Sequence, residues 1–265
     1  MKLVVERCGP LVTVQDRGRR GHAHQGVPAS GPLDREAFDA ALAAVGGHDD
    51  DAAIEIPLNG ARFRIEGTVL CSIDGETPRE VQDDVVEVPA HARAVRYLAV
   101  RGGIDVPIVL GARATLPNAG FGGHEGRPLR RGDRLSIGEG GSVAPRFGRP
   151  LLLSDEISVR PTHDADPTTL AAFFATTHVV DPRSDRVGTR LQPSTPLSGP
   201  ARQGERLSRP IVVGAIQLPP DGHPIVIGPD GPTTGGYDLL GVLDRGARSR
   251  LARVRPGGRI RFRSA

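Results

Sequence analysis

The chain has 265 residues, enough for one large or two medium domains, each with a core of its own. Hydrophobic residues make up 38%, and no apolar run approaches the ~20 residues that span a bilayer, so no membrane role is expected. The net charge of +3, with acids interspersed among the bases, argues against a general polyanion binder and against nucleic acid as a partner. Of the 34 basic residues only Lys2 is a lysine, and it lies in no motif. Mechanisms that need a lysine in place, such as P-loop phosphate binding, a Schiff base, a Ser-Ser-Lys amidase site or a biotinylated carrier, are therefore excluded for this chain acting alone. Cys8 and Cys71 have neither metal-ligand spacing nor a disulfide framework, and Glu6 interrupts any secretory pattern, so a cytoplasmic setting is expected.

Short strands are predicted at Leu3–Val5 and Leu11–Val14, followed by a charged glycine loop at 15–21 and a shaped turn at 26–32. Asp34 is a helix N-cap with Glu36 in the first turn; Ala37, Phe38, Ala41, Leu42 and Val45 keep helical spacing, and Gly46-Gly47 ends the helix. From Ile54 the pattern turns to strands, with Ala61, Phe63 and Ile65 alternating against Arg62, Arg64 and Glu66. Further runs at 69–73, 85–88 and 95–100 point to a barrel or sandwich. Residues 139–150 are rich in glycine and proline and mark a domain boundary. A second helix starts at Asp166-Pro167, and the chain then returns to short strands and turns. Eight arginines follow Asp244 with no further acid, and the alternation of Arg259, Arg261 and Arg263 with Ile260 and Phe262 reads as one solvated strand face. Similar strand–turn–strand endings at 129–135 and 254–260 suggest two related halves, with a single large sandwich as the alternative.

Among the candidate site residues, Ser30 sits in a shaped turn without the G-x-S-x-G pattern of a nucleophile elbow. His22, His24 and His48 lack a third ligand at typical metal spacing, and no metal is assigned. Arg186, Gly188 and Arg190 would point the same way on a strand, with room between two guanidinium groups for a carboxylate or phosphate. Equally, Asp185 and Arg186 could staple a turn and leave Arg190 solvated. The segment from Gly214 to Tyr237 alternates glycine and proline turns with two short apolar runs, around Gln217, Asp221, Asp230, Thr233, Thr234 and Tyr237. It reads either as a pair of tight hairpins or as the wall of a ligand pocket.

Several stretches match a known family in order along the chain. They are Thr13–Arg19 (TVQDRGR), Ser30–Asp34 (SGPLD), Tyr97–Pro107 (YLAVRGGIDVP), Gly120–Arg127 (GFGGHEGR), Ser184–Leu191 (SDRVGTRL), Gly214–Gly222 (GAIQLPPDG) and Thr233–Tyr237 (TTGGY). Together they resemble the 5-oxoprolinase C-subunit family, also labelled allophanate hydrolase subunit 2 or the biotin-dependent carboxyltransferase family. The resemblance implies a mainly β chain of two cyclophilin-like β-barrel domains with a few short helices, over 1–140 and 150–265. It implies partner subunits B and A, and an ATP-dependent opening of the lactam of 5-oxo-L-proline to L-glutamate. ATP would then lie on a partner or at an interface, because this chain has no phosphate-binding lysine. Gln217 and Asp221 are the candidate catalytic residues, and Arg186, Arg190, Thr233, Thr234, Gly235, Gly236 and Tyr237 the candidate substrate-binding ones. The alternatives are a urea carboxylase-like carboxyltransferase using biotin from a separate carrier, and a non-enzymatic regulator of the partner subunit. Pro232 stands where the family usually has glutamine, beside the presumed pocket.

Overall fold

The computed structural model describes residues 1–140, 143–148, 151, 153–163, 165–199 and 207–265, so part of the boundary stretch expected at 139–150 lies outside the described residues. The chain divides into two compact units, residues 1–20 with 30–151 and residues 21–29 with 152–265. Segment 21–29, near the N-terminus in sequence, thus belongs to the second unit.

The first unit contains β1 (Lys2–Cys8), β2 (Thr13–Gln15), α1 (Arg35–Val45), β3 (Ala53–Pro57), β4 (Ala61–Glu66) and β5 (Thr68–Ile73). It continues with β6 (Arg79–Gln82), β7 (Val85–Val88), β8 (Val95–Val100), β9 (Ile104–Asp105) and β10 (Arg134–Ile137). The strands form two five-stranded sheets, in the orders β7-β4-β1-β10-β9 and β2-β3-β8-β5-β6. β4 shows why: Ala61, Phe63 and Ile65 are fully buried while Arg62 and Arg64 face solvent, the period-2 burial expected of it. These residues share one core with Leu3, Val14, Ile54, Leu98 and Leu135.

Helix α1 begins and ends where its sequence signals lie. The Asp34 carboxylate accepts the Ala37 N–H at 3.0 Å, and Gly46 takes φ 68° at the C-cap. Its start is fixed a second time by Tyr97 on β8. The Tyr97 hydroxyl accepts the Asp34 N–H at 3.0 Å and donates to Glu55 at 2.6 Å, and Glu55 also accepts the Leu33 N–H. Full burial, then the neighbouring Glu55 and Asp34 carboxyls, hold the Tyr97 hydroxyl well above its ordinary pKa, so it stays protonated as the donor this network needs.

The second unit contains β11 (Glu156–Pro161), α2 (Pro167–Ala175), β12 (His178–Val180), β13 (Gly188–Pro193), β14 (Arg209–Pro210) and β15 (Ala215–Leu218). After these come β16 (Ile225–Ile227), β17 (Thr234–Gly235), β18 (Asp238–Val242), α3 (Arg245–Ala252) and β19 (Arg259–Ser264). Seven strands close a barrel in the order β11-β18-β15-β16-β13-β12-β19, and β14 with β17 form a separate two-stranded ribbon. Ile157, Leu191, Ile216, Val226, Leu240, Ile260 and Phe262 fill the core. Arg259, Arg261 and Arg263 are exposed between the buried Ile260 and Phe262, as expected. Helix α3 falls within the arginine-rich run, whose pattern suggests only a strand. Its Asp244 cap accepts the Ala247 N–H at 2.7 Å, but only Ala247, Ser249 and Leu251 are buried. The chain is mainly β, and among the described residues no helix is long and apolar enough to cross a membrane.

Candidate functional site

All four residues of β15 are buried, and one of them is polar. Ile216 and Leu218 point into the barrel core, so strand alternation turns Gln217 to the outer face. Its β16 partner is Ile225 and its β18 partner is Leu239, both half-buried. Opposite the step from Ile216 to Gln217 the β18 register jumps from Gly241 to Leu239, a bulge of the kind that re-aims side chains. Ile225 pairs in turn with Arg190 on β13. The barrel thus sets one transverse row on its outer face: Arg190, Ile225, Gln217 and Leu239, on four adjacent strands.

The row joins two polar groups that have no partner. Gln217 is only 5% exposed, yet its carboxamide makes no hydrogen bond among the described residues. Burying an amide without a partner costs roughly 1–3 kcal/mol, so a group left this way is prepared for something to bind it. Arg190 is exposed and forms no ion pair among the described residues. Glycines leave room around both. A Cβ on Gly188 would come within 2.8 Å of Ile225, and one on Gly235 within 2.7 Å of the Gln217 Nε2 and 2.4 Å of Ile211. The β14–β17 ribbon therefore lies directly against the Gln217 amide.

The other expected site residues fall differently. Arg186 is not on a strand with Arg190; it sits in a bend before β13 begins at Gly188. Its guanidinium is 9% exposed and holds Asp230 in a bidentate pair, Nε to Oδ2 at 2.7 Å and Nη2 to Oδ1 at 3.0 Å. The carboxylate that the spacing reserves for substrate is the protein's own, so the expected Arg186 clamp is corrected to a loop staple. Asp221 is exposed in the β15–β16 turn, where it accepts the His223 N–H at 3.0 Å, the geometry of an Asx turn. Thr233 is half-buried and its carbonyl accepts the Ile211 N–H. Thr234 is exposed on β17, Gly235 and Gly236 are half-buried, and Tyr237 is 47% exposed.

The sequence motifs of the first unit tie its loops together. The Gln15 amide donates to Thr13 and to the Thr115 carbonyl, which also accepts from Ser30, itself in the left-handed region at φ 56°. Asp16 accepts the Gly18 and Arg113 N–H groups. A Cβ on Gly123 would overlap the Thr115 hydroxyl, so the glycine is required by packing. His124 lies 3.5 Å from Asp133, whose carboxylate is held below its usual range first by hydrogen bonds from Arg127.

Phosphate binding has an identifiable seat in many proteins at the N-terminus of a helix. Here each of the three described α-helices has an aspartate at that position. Asp34, Asp166 and Asp244 accept the Ala37, Thr169 and Ala247 N–H groups, placing a carboxylate where a nucleotide phosphate would bind. These helix ends do not fit ATP.

Comparison with known proteins agrees with this architecture. The profile of the carboxyltransferase domain, subdomain A and B, matches residues 25–264. The chain is 32% identical to the C subunit of 5-oxoprolinase from Escherichia coli K12, over 98% of this chain and 90% of that protein. It is 31% identical to the urea amidolyase of Lachancea kluyveri, over 96% of this chain but only 16% of the relative. The crystal structure of Kluyveromyces lactis urea carboxylase superposes with a TM-score of 0.89 at 27% identity, over 98% of this chain and 27% of that one.

Proposed function

The chain belongs to the family of the carboxyltransferase domain, subdomain A and B, and on that premise we propose that it is the C subunit of an ATP-dependent 5-oxoprolinase, working with subunits A and B on the lactam of 5-oxo-L-proline. The similarity to a 5-oxoprolinase C subunit over nearly the full length of both proteins supports this reading more than the urea amidolyases, of which the chain matches a small part. The observation that carries it in the structure is the buried, unpartnered Gln217 carboxamide, a group suited to another amide.

The chemistry divides the labour. A lactam is stabilised by amide resonance, and ATP supplies the activation by phosphorylating the amide oxygen, which makes it a leaving group for attack by water. The aspartate-capped helix ends and the absence of a suitable lysine assign that nucleotide to a partner subunit. This chain contributes recognition: Gln217 reads the amide, the Gly235–Gly236 backbone lies against it, and Tyr237 stands at the rim. Asp221, exposed and engaged in its turn, takes no catalytic part in this scheme.

The second reading is a carboxyltransferase that receives carboxybiotin from a separate carrier and passes the carboxyl group to an amide nitrogen. The family description and the urea carboxylase likeness favour it. Reconstitution separates the two. The chain purified with its partner subunits is expected to form glutamate from 5-oxo-L-proline only when ATP is present. Absence of glutamate, together with biotin-dependent carboxylation of urea, would replace the first reading by the second. Absence of both activities, with tight binding to the partner, would indicate a regulator.

A further inference from the structure

The row Arg190–Ile225–Gln217–Leu239 contains more chemical information than the proposed reaction requires. Adjacent strands lie about 4.8 Å apart, so the Cα atoms of Arg190 and Gln217, two strands apart, are separated by about 10 Å. Ile225 lies between them and supplies an apolar floor. A long guanidinium side chain and a carboxamide on the same face can lean together over that floor, to within the width of one small ring. Among the described residues neither group has a partner inside the protein.

We infer that Arg190 and Gln217 form a two-point recognition site for a small carboxylic acid carrying an unsubstituted cis-amide. The inference rests on the 5-oxoprolinase reading for the reaction but concerns the substrate class alone. A primary carboxamide presents a donor and an acceptor side by side. Ring closure forces the N–H and C=O of a lactam onto one edge, and a ureido group presents the same edge. Gln217 therefore matches it with two antiparallel hydrogen bonds, in either orientation of its amide. An alkyl group on the lactam nitrogen removes one of these bonds and brings a carbon against Gln217 where Gly235 leaves little space. The exposed Arg190 fork takes the carboxylate, by the bidentate geometry that Arg186 uses internally on Asp230. Arg186 cannot serve in its place without leaving Asp230 buried and unpaired.

Three compounds test this on the full chain, alone and with its partner subunits, by isothermal titration or ligand-observed NMR. They are 5-oxo-L-proline, 2-pyrrolidinone, which lacks the carboxylate, and N-methyl-5-oxo-L-proline. The unmodified chain should bind the first at least tenfold more tightly than the other two. Arg190→Gln should weaken 5-oxo-L-proline at least tenfold without changing 2-pyrrolidinone, and Arg190→Lys should recover part of the loss. Gln217→Leu should weaken both compounds, with an unchanged melting temperature showing that the barrel is intact. Equal binding of the N-methyl compound, an Arg190→Gln variant that binds 5-oxo-L-proline normally, or no binding of 5-oxo-L-proline to any of these preparations overturns the inference. If the expected binding pattern holds and no glutamate is formed, the recognition site stands and the reaction assignment falls.

Discussion

Truncating Arg186 should unfold the second unit long before it affects substrate binding. The Arg186–Asp230 pair is buried on both sides, with side-chain exposures of 10% and 2%, and its two bonds of 2.7 and 3.0 Å close the 228–231 loop onto the segment before β13. Two backbone bonds lie in the same seam, Gly228 N–H to Val187 and Asp230 N–H to Arg186. Removing one partner of such a pair leaves an uncompensated buried charge and costs about 3–5 kcal/mol. For a unit of this size each kcal/mol lowers the melting temperature by roughly 4 °C, so Arg186→Ala should lower that of the second unit by roughly 12–20 °C. Replacing both partners with apolar residues, Arg186→Met with Asp230→Leu, should recover most of that loss, because no charge is then left unpaired. Thermal and urea unfolding followed by circular dichroism measures the cycle, and hydrogen exchange of the 228–231 amides locates it. An Arg186→Ala protein that melts with the unmodified chain but has a raised KM for 5-oxo-L-proline would restore the substrate-clamp role and refute the staple.

Other consequences are independent of the site row. Leu110 and Gly111 form a two-residue hairpin turn at φ 51° and 76°, with Leu110 42% exposed, so Leu110→Asn should stabilise the first unit by about 1 kcal/mol in urea unfolding. A loss of stability would show that the leucine side chain contributes packing that outweighs its backbone strain. His178 is fully buried against Phe173 and Phe262, its Nε2–H donates to the Phe173 carbonyl, and burial lowers its pKa. The unfolded chain therefore takes up a proton first as pH falls below about 6.5, and stability should decline by about 1 kcal/mol between pH 7.5 and 5.5. His178→Gln should abolish that part of the slope; an unchanged slope would assign it to other groups. Asp221→Ala should cost no more than about 1 kcal/mol of stability through the lost turn bond and leave turnover within about twofold. A hundredfold loss of kcat would return Asp221 to the chemistry.

What could be read in the sequence followed from how local each feature is. Helix α1 was legible because its signals lie within a dozen residues, from the Asp34 cap to the Gly46 stop. β4 and β19 were legible from their alternation alone. Helix α3 was not, because its capping aspartate is followed by arginines rather than an apolar stripe. The alignment of Arg186, Gly188 and Arg190 expected from their spacing fails for a register reason. It requires one continuous strand, but the chain bends until Gly188, and Arg186 turns inward to Asp230. Gln217 was visible as a polar residue in an apolar run, but its neighbours were not. Arg190 and Gln217 are 27 positions apart, and only the strand order β18-β15-β16-β13 places them in one row.

The central claim is that this row is where the substrate's amide and carboxylate are read. The most direct measurement is a crystal structure of the chain assembled with its partner subunits and soaked with 5-oxo-L-proline. It should show the lactam edge within hydrogen-bonding distance of the Gln217 carboxamide, the carboxylate on Arg190, and the ring over Ile225. A ligand bound elsewhere, with Gln217 still unpartnered, would contradict the account.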